Sequence, residues 1–177
     1  MLFGVVIGAY HSESQEFTYD VIDVQYFQPP KFSKKEYLKQ ASSIVFRLLG
    51  RLCLDLDEAI MICNSYLFDE AAEQLRQVYG PSRVRRVKVT EEPQRLTELA
   101  YLDEVRNLGY EPLLNREEKR GKSFFHMLRW LKQNPDKVKY AKTGWPRLSR
   151  YRIFREITGT VLNPSRKTPG HRSSTGV

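Results

Sequence analysis

The sequence predicts an α/β protein: a mixed sheet that opens with a β-hairpin and continues helix, strand, helix, strand, helix, followed by a basic C-terminal extension. Three observations predict it. Residues 59–89 change period twice. Ala59–Cys63 is a short uncharged apolar run, Phe68, Ala71, Ala72, Leu75 and Val78 recur at helical spacing, and Val84, Val87 and Val89 mark a second strand. The first 27 residues hold two runs rich in β-branched and aromatic side chains, separated by the polar stretch His11–Gln15. The third observation is charge. Met1–Leu128 carries 17 basic and 19 acidic residues, a net of −2, whereas Arg129–Val177 carries 12 and 2, a net of +10. The whole excess of +8 therefore lies in the last quarter, the pattern of a near-neutral body with an appended polyanion-binding surface.

Each element has its own justification. Leu2–Tyr10 centres on Val5, Val6 and Ile7. Its antiparallel partner is Glu16–Phe27, with Phe17, Tyr19, Val21 and Asp23 in one phase and Ile22, Val24 and Tyr26 in the other. Pro29 and Pro30 end the hairpin. Ser33 and Glu36 have the spacing of a capping box, and Tyr37, Ala41, Ile44, Val45, Leu48 and Leu52 share a helix face beyond it. The uncharged run Ala59–Cys63 is expected as a strand buried on both faces. Asn64 and Ser65 are placed to cap the next helix, which Gly80 and Pro81 stop. A strand-helix-strand unit of this length implies a right-handed parallel crossover. Pro93 opens a third helix whose apolar side is Leu96, Leu99, Ala100, Leu102 and Val105, with Gly109 as its stop. Asn115 and Glu118 resemble a capping box for a fourth helix that carries Phe124, Met127, Leu128 and Leu131 and ends near Asn134–Pro135. Residues 1–134 form the expected α/β domain and 135–177 the basic, aromatic-containing extension, whose end from Asn163 has little to bury and reads as a tail.

A chain of 177 residues suits one domain, and 41% apolar with 28% charged residues is the composition of a folded protein. No apolar run approaches the roughly 20 residues that span a bilayer, and the N-terminus reads as a strand rather than a signal peptide. The expected location is cytoplasmic. Cys53 and Cys63 are expected as buried thiols. His11, His126 and His171 share no ligand spacing with them, so neither a metal nor a cofactor is expected.

Over Met1–Tyr110 the order of elements resembles the ribonuclease H-like fold, which has a meander at one edge and parallel strands beyond it. Active members of that class hold two metal ions between carboxylates on the first strand and at the end of the strand after the first helix. Here Leu2–Tyr10 has no acidic residue, and the later strand ends at Asn64. Asp20 and Asp23 stand nearby as substitutes, but three residues apart on a strand they point to opposite faces. The chain departs from the catalytic pattern. A metal-dependent nuclease with displaced carboxylates is the alternative reading.

The main reading follows the basic end, where cations alternate with aromatics. Lys137, Lys139, Lys142, Arg147, Arg150, Arg152 and Arg155 are the expected phosphate contacts, and Trp145 and Tyr151 the expected stacking residues. Arg83, Arg85, Arg86 and Lys88 form a second basic strip. The expectation is a non-catalytic RNA-binding protein associated with the ribosome or another ribonucleoprotein. Its partners are structured RNA and proteins of the same assembly, not a membrane. A protein-interaction module that meets an acidic partner is a third reading.

Overall fold

The structure, a computed structural model, describes residues 2–55, 57–113 and 120–154. It is mixed α/β and divides into two compact units, Met1–Trp145 and Pro146–Val177. The first unit contains strands β1 (Val5–His11) and β2 (Glu16–Ile22), helix α1 (Glu36–Arg51), strand β3 (Ile60–Cys63), helix α2 (Asp69–Tyr79), strand β4 (Val84–Val87), and helices α3 (Glu91–Asn107) and α4 (Arg120–Gln133). Of the second unit, Pro146–Arg150 is a 3-10 turn, and Leu148 and Phe154 are buried.

β1 and β2 form the expected antiparallel hairpin, in a register that pairs Val5 with Ile22 and His11 with Glu16. The strand stops five residues short of the expected Phe27, because the Asp23 carboxylate accepts the Gln25 N–H at 2.8 Å and caps a 3-10 turn over Val24–Phe27. The two hairpin faces meet different helices. Val5, Ile7, Ala9 and Ile22 join the core that α1 fills with Tyr37, Ala41, Ile44, Val45 and Leu48. On that side Asp20 pairs with Arg47 of α1 at 2.7 Å. The opposite face meets α3, where the Tyr19 hydroxyl donates to Glu104 at 3.2 Å. Gly8 permits this approach, since a Cβ there would lie 2.5 Å from Thr97 Oγ1 and 2.7 Å from the Phe17 ring.

β3 and β4 run parallel, joined by α2, with Ile60 opposite Val84 and Cys63 opposite Val87. The pair and the hairpin are separate two-stranded sheets; among the described residues no ladder joins them into the single mixed sheet that was expected. They share one core through α1 and α2 instead, with Ile60, Ile62, Val84, Ala71, Ala72 and Leu75 in it. β3 is not buried on both faces: Ile60 and Ile62 point inward, and Met61 is 66% exposed. Among the described residues helices cover only one side of this pair, so an unbroken apolar run becomes an alternating one.

Smaller corrections have local causes. The Ser33 hydroxyl donates to the Pro30 carbonyl at 2.7 Å and caps nothing, and α1 starts after Lys35, which takes a left-handed conformation. Ser65 precedes a 3-10 turn, Tyr66–Phe68, and makes no side-chain cap. Val78 is 66% exposed because Tyr79 closes the last turn of α2 instead, stacking on Phe46 with ring centroids 6.4 Å apart. Leu99 of α3 faces outward, while Ala100 and Val105 are buried. β4 ends at Val87 rather than Val89. Cys53 is exposed, because the chain leaves α1 there at a φ of 50°, and Cys63 is half-buried; both thiols are free. In α4, Met127, Leu128 and Leu131 are buried as expected, while the predicted start at Asn115 and Glu118 lies outside the described residues.

Two predictions follow from this packing. Gly8→Ala should cost about 1–3 kcal/mol in chemical denaturation, since the methyl displaces Thr97 and Phe17. Gly50→Ala on α1, which meets open space, should be stabilising by up to about 1 kcal/mol. The hairpin turn is tied to the loop before β3 by His11, whose Nε2 lies 2.7 Å from Glu58 Oε1. The bond to Glu58 raises the His11 pKa and lowers that of Glu58. A raised histidine stabilises fully below the pKa of a free histidine and loses that contribution as pH rises through its own folded value. The lowered Glu58 contributes above the ordinary glutamate range and loses its share as pH falls through its folded value. The pair's contribution to thermal stability should therefore be greatest between those limits and be lost as pH rises through the folded value of His11; His11→Ala should remove that dependence.

Candidate nucleic-acid interface

Residues 135–145 are bound to the N-terminal unit by backbone geometry rather than by charge. Pro135 begins a 3-10 run to Tyr140, and Val138 and Ala141 turn inward. Leu2 and Ala141 form an antiparallel bridge, and the Phe3 N–H donates to the Tyr140 carbonyl at 2.7 Å. The Gln28 amide donates to the carbonyls of both Lys139 and Ala141, each at 2.8 Å. The Gly144 N–H closes the run on the Phe27 carbonyl at 2.8 Å. Units divide at Trp145/Pro146 and not at the expected 134/135 because these bonds attach the intervening residues to the first unit.

With Val138 and Ala141 inside, the intervening lysines face out. Lys139 is exposed, and Lys137 is half-buried with Asp136 3.7 Å away. Lys142 behaves differently. Its Nζ lies 4.7 Å from the Phe27 ring centroid, and burial pushes its pKa down to about 8, while the ring face attracts the cation and works the other way.

The attachment sets this run beside residues 24–39, which hold Lys31, Lys34, Lys35 and Lys39 against a single carboxylate, Glu36. Together the two stretches carry seven lysines and two acidic residues. Sequence reasoning missed this half of the surface because it averaged these lysines into a neutral body. The signal was present as the cluster KFSKK at 31–35.

A connected set of rings joins the two runs. Trp145 packs on Phe32 with centroids 4.9 Å apart, Phe32 on Tyr37 at 5.5 Å, Phe27 on Tyr37 at 5.4 Å, and Tyr66 meets Tyr37 edge-on at 6.5 Å. Tyr37 is buried, and burial together with a hydrogen bond to Tyr66 raises its pKa. A Cβ at Gly144 would collide with the Phe32 ring, so only glycine lets the chain lie this close. Trp145 is 44% exposed and Tyr66 is 57% exposed.

Arg147, Arg150 and Arg152 are exposed in the second unit, where Arg150 sits over the Tyr151 ring at 5.0 Å and donates to its hydroxyl at 3.1 Å. Arg155 lies outside the described residues. In the second basic strip, two arginines serve the framework. Arg83 donates to the carbonyls of Glu58 and Asp55, and Arg86 pairs with Asp69 at 2.9 Å and donates to the Ser65 carbonyl. Arg85 and Lys88 are exposed.

The carboxylates considered for metal binding are employed otherwise, Asp20 with Arg47 and Asp23 as a cap. Among the described residues no group of three or more histidine, cysteine or acidic side chains is arranged to hold a metal ion. The His126 ring packs on Tyr110, whose hydroxyl lies 3.1 Å from its Nδ1. No helix among the described residues is long and apolar enough to cross a membrane. No protein-family model, curated protein or solved structure matches the chain.

The Lys142 environment gives a test of the site's electrostatics. Its ammonium should titrate near pH 8 by NMR, well below the ordinary lysine value of about 10.4. Because the fold disfavours its charged form, stability should rise as pH increases through 8 toward that value, and Lys142→Met should remove this rise.

Proposed function

We propose that this chain is a non-catalytic RNA-binding protein, a component or partner of the ribosome or of another ribonucleoprotein. The observation that supports it best is the charge imbalance of residues 129–177, with 12 basic and 2 acidic residues on a chain that is otherwise near neutral. The lysine runs at 24–39 and 135–145, which the Gln28 side-chain amide ties together through the carbonyls of Lys139 and Ala141, add to that support. On this reading Lys137, Lys139 and Lys142 and the arginines Arg147, Arg150, Arg152 and Arg155 neutralise phosphates, while Trp145 and Tyr151 meet bases. The body is a ribonuclease H-like sandwich that has lost the catalytic carboxylates and carries a basic C-terminal extension. Its RNA is structured, its neighbours are proteins of the same assembly, and its location is cytoplasmic.

The test is a salt series with purified protein, RNA and Mg²⁺. Each phosphate contact contributes about −0.7 (single strand) to −0.9 (duplex) to the slope of log K against log salt. Replacing Lys137, Lys139 and Lys142 together with alanine should therefore flatten the slope by about 2–3, and Arg147, Arg150 and Arg152 together should do the same. The RNA should remain intact. A slope unchanged in both triple variants would refute the proposal, as would metal-dependent cleavage that disappears in Asp20→Asn or Asp23→Asn.

A further inference from the structure

We infer that Tyr66 and Trp145, mounted on the Phe32 and Tyr37 rings, form a stacking site for unpaired bases, so that this face takes single-stranded stretches of RNA in preference to duplex. The inference rests on the RNA-binding reading and specifies its ligand. Four observations carry it.

The first is exposure: Trp145 and Tyr66 leave 44% and 57% of their surface open, a cost in hydrophobic free energy that a partner would recover. The second is rigidity. Trp145 backs onto Phe32, Tyr66 onto Tyr37, and Phe32 and Tyr37 pack on each other, with Tyr37 buried at the start of α1. Rings held this way lose little rotamer freedom when a base stacks on them.

The third is charge. The two chain stretches that supply Phe27, Phe32, Tyr37 and Trp145 carry seven lysines against two carboxylates, which suits a polyanion and gives a neutral proline-rich peptide, another ligand of aromatic surfaces, nothing to pair with. Lys31 and Lys142 lie over rings of the same region, Lys31 at 4.5 Å from the Tyr26 centroid and Lys142 over Phe27, so cations and ring faces are interleaved on the scale of a nucleotide. The fourth is chemical. Every base has a π-face that a ring can stack on, at about 1–3 kcal/mol per base, but in a duplex those faces are already stacked on one another.

The experiment uses the full chain and three probes: a 12-nucleotide RNA single strand, the same strand with abasic sites in place of its bases, and the same strand annealed to its complement. Tyr66→Ala and Trp145→Ala should each weaken binding to the intact single strand by about 5- to 150-fold. The salt slope and duplex binding should not change. The abasic strand should bind the wild-type chain no more tightly than the intact strand binds the variants, and Trp145→Phe should restore most of the loss. Both side chains are exposed, and circular dichroism checks that the variants fold as the wild type does. If the intact and abasic strands bind the wild type equally, or if ring removal leaves single-strand binding unchanged while lysine replacement weakens it, the stacking site is refuted and the RNA reading stands. If neither single strand nor duplex binds at low salt, both fall.

Discussion

Helix α1 is the constraint on which the first unit depends. Neither two-stranded sheet has enough partners to be stable in water alone, so each must bury a face against something else. α1 supplies that cover with Tyr37, Ala41, Ile44, Val45 and Leu48, and each of its large aliphatic side chains contributes roughly 1.5–3 kcal/mol on full burial. Polar contacts then fix how the helix sits. Arg47 meets Asp20 of the hairpin, and the buried Ser42 donates its hydroxyl to Gln74 of α2 at 2.5 Å. An apolar face alone tolerates sliding; a buried hydroxyl with one partner does not. The first turn of the same helix carries Tyr37, so the element that joins the two sheets also anchors the rings of the candidate interface.

Much of this arrangement was legible in the residues. The change of period across 59–89 identified β3, α2 and β4, and helical spacing selected Tyr37, Ala41, Ile44, Val45 and Leu48 as the buried face of α1. Misreadings arose where a local bond outweighed a pattern. Val24 and Tyr26 continue the alternation of β2, but Asp23 bonds its own backbone neighbour and turns the chain. Ser33 and Glu36 have capping-box spacing, but Pro30 offers Ser33 a nearer carbonyl. Met61 lies in an apolar run that looks identical whether one face or both are covered, because that depends on how many strands and helices surround it. The candidate site was legible in part for the same kind of reason. Lys137, Lys139 and Trp145 form a local signal. The attachment of their segment to residues 27 and 28 depends on Gln28 side-chain bonds to backbone carbonyls more than a hundred residues away, and a carbonyl carries no mark in the sequence.

The basic residues fall into three physical roles despite their similar appearance in composition. Arg83 and Arg86 are committed to carbonyls and a carboxylate of the framework. Lys139 and Arg147 are exposed, where an incoming phosphate would displace water and counterions at little desolvation cost. Lys142 lies between these extremes, partly stripped of water over Phe27, and burial lowers its pKa to about 8. A polyanion arriving beside it would restore the favourable field that burial removed, so ligand binding and protonation of this amine are thermodynamically linked.

The closure of Leu2 and Phe3 onto Tyr140 and Ala141 has a consequence for biosynthesis. Leu2 and Phe3 cannot complete these contacts until Tyr140 and Ala141 have been made, and loops this long close late in folding. Until then the two lysine runs belong to separate parts of an unfinished chain, and the composite positive surface does not exist. The contacts that complete the fold therefore also determine when the two lysine runs come together.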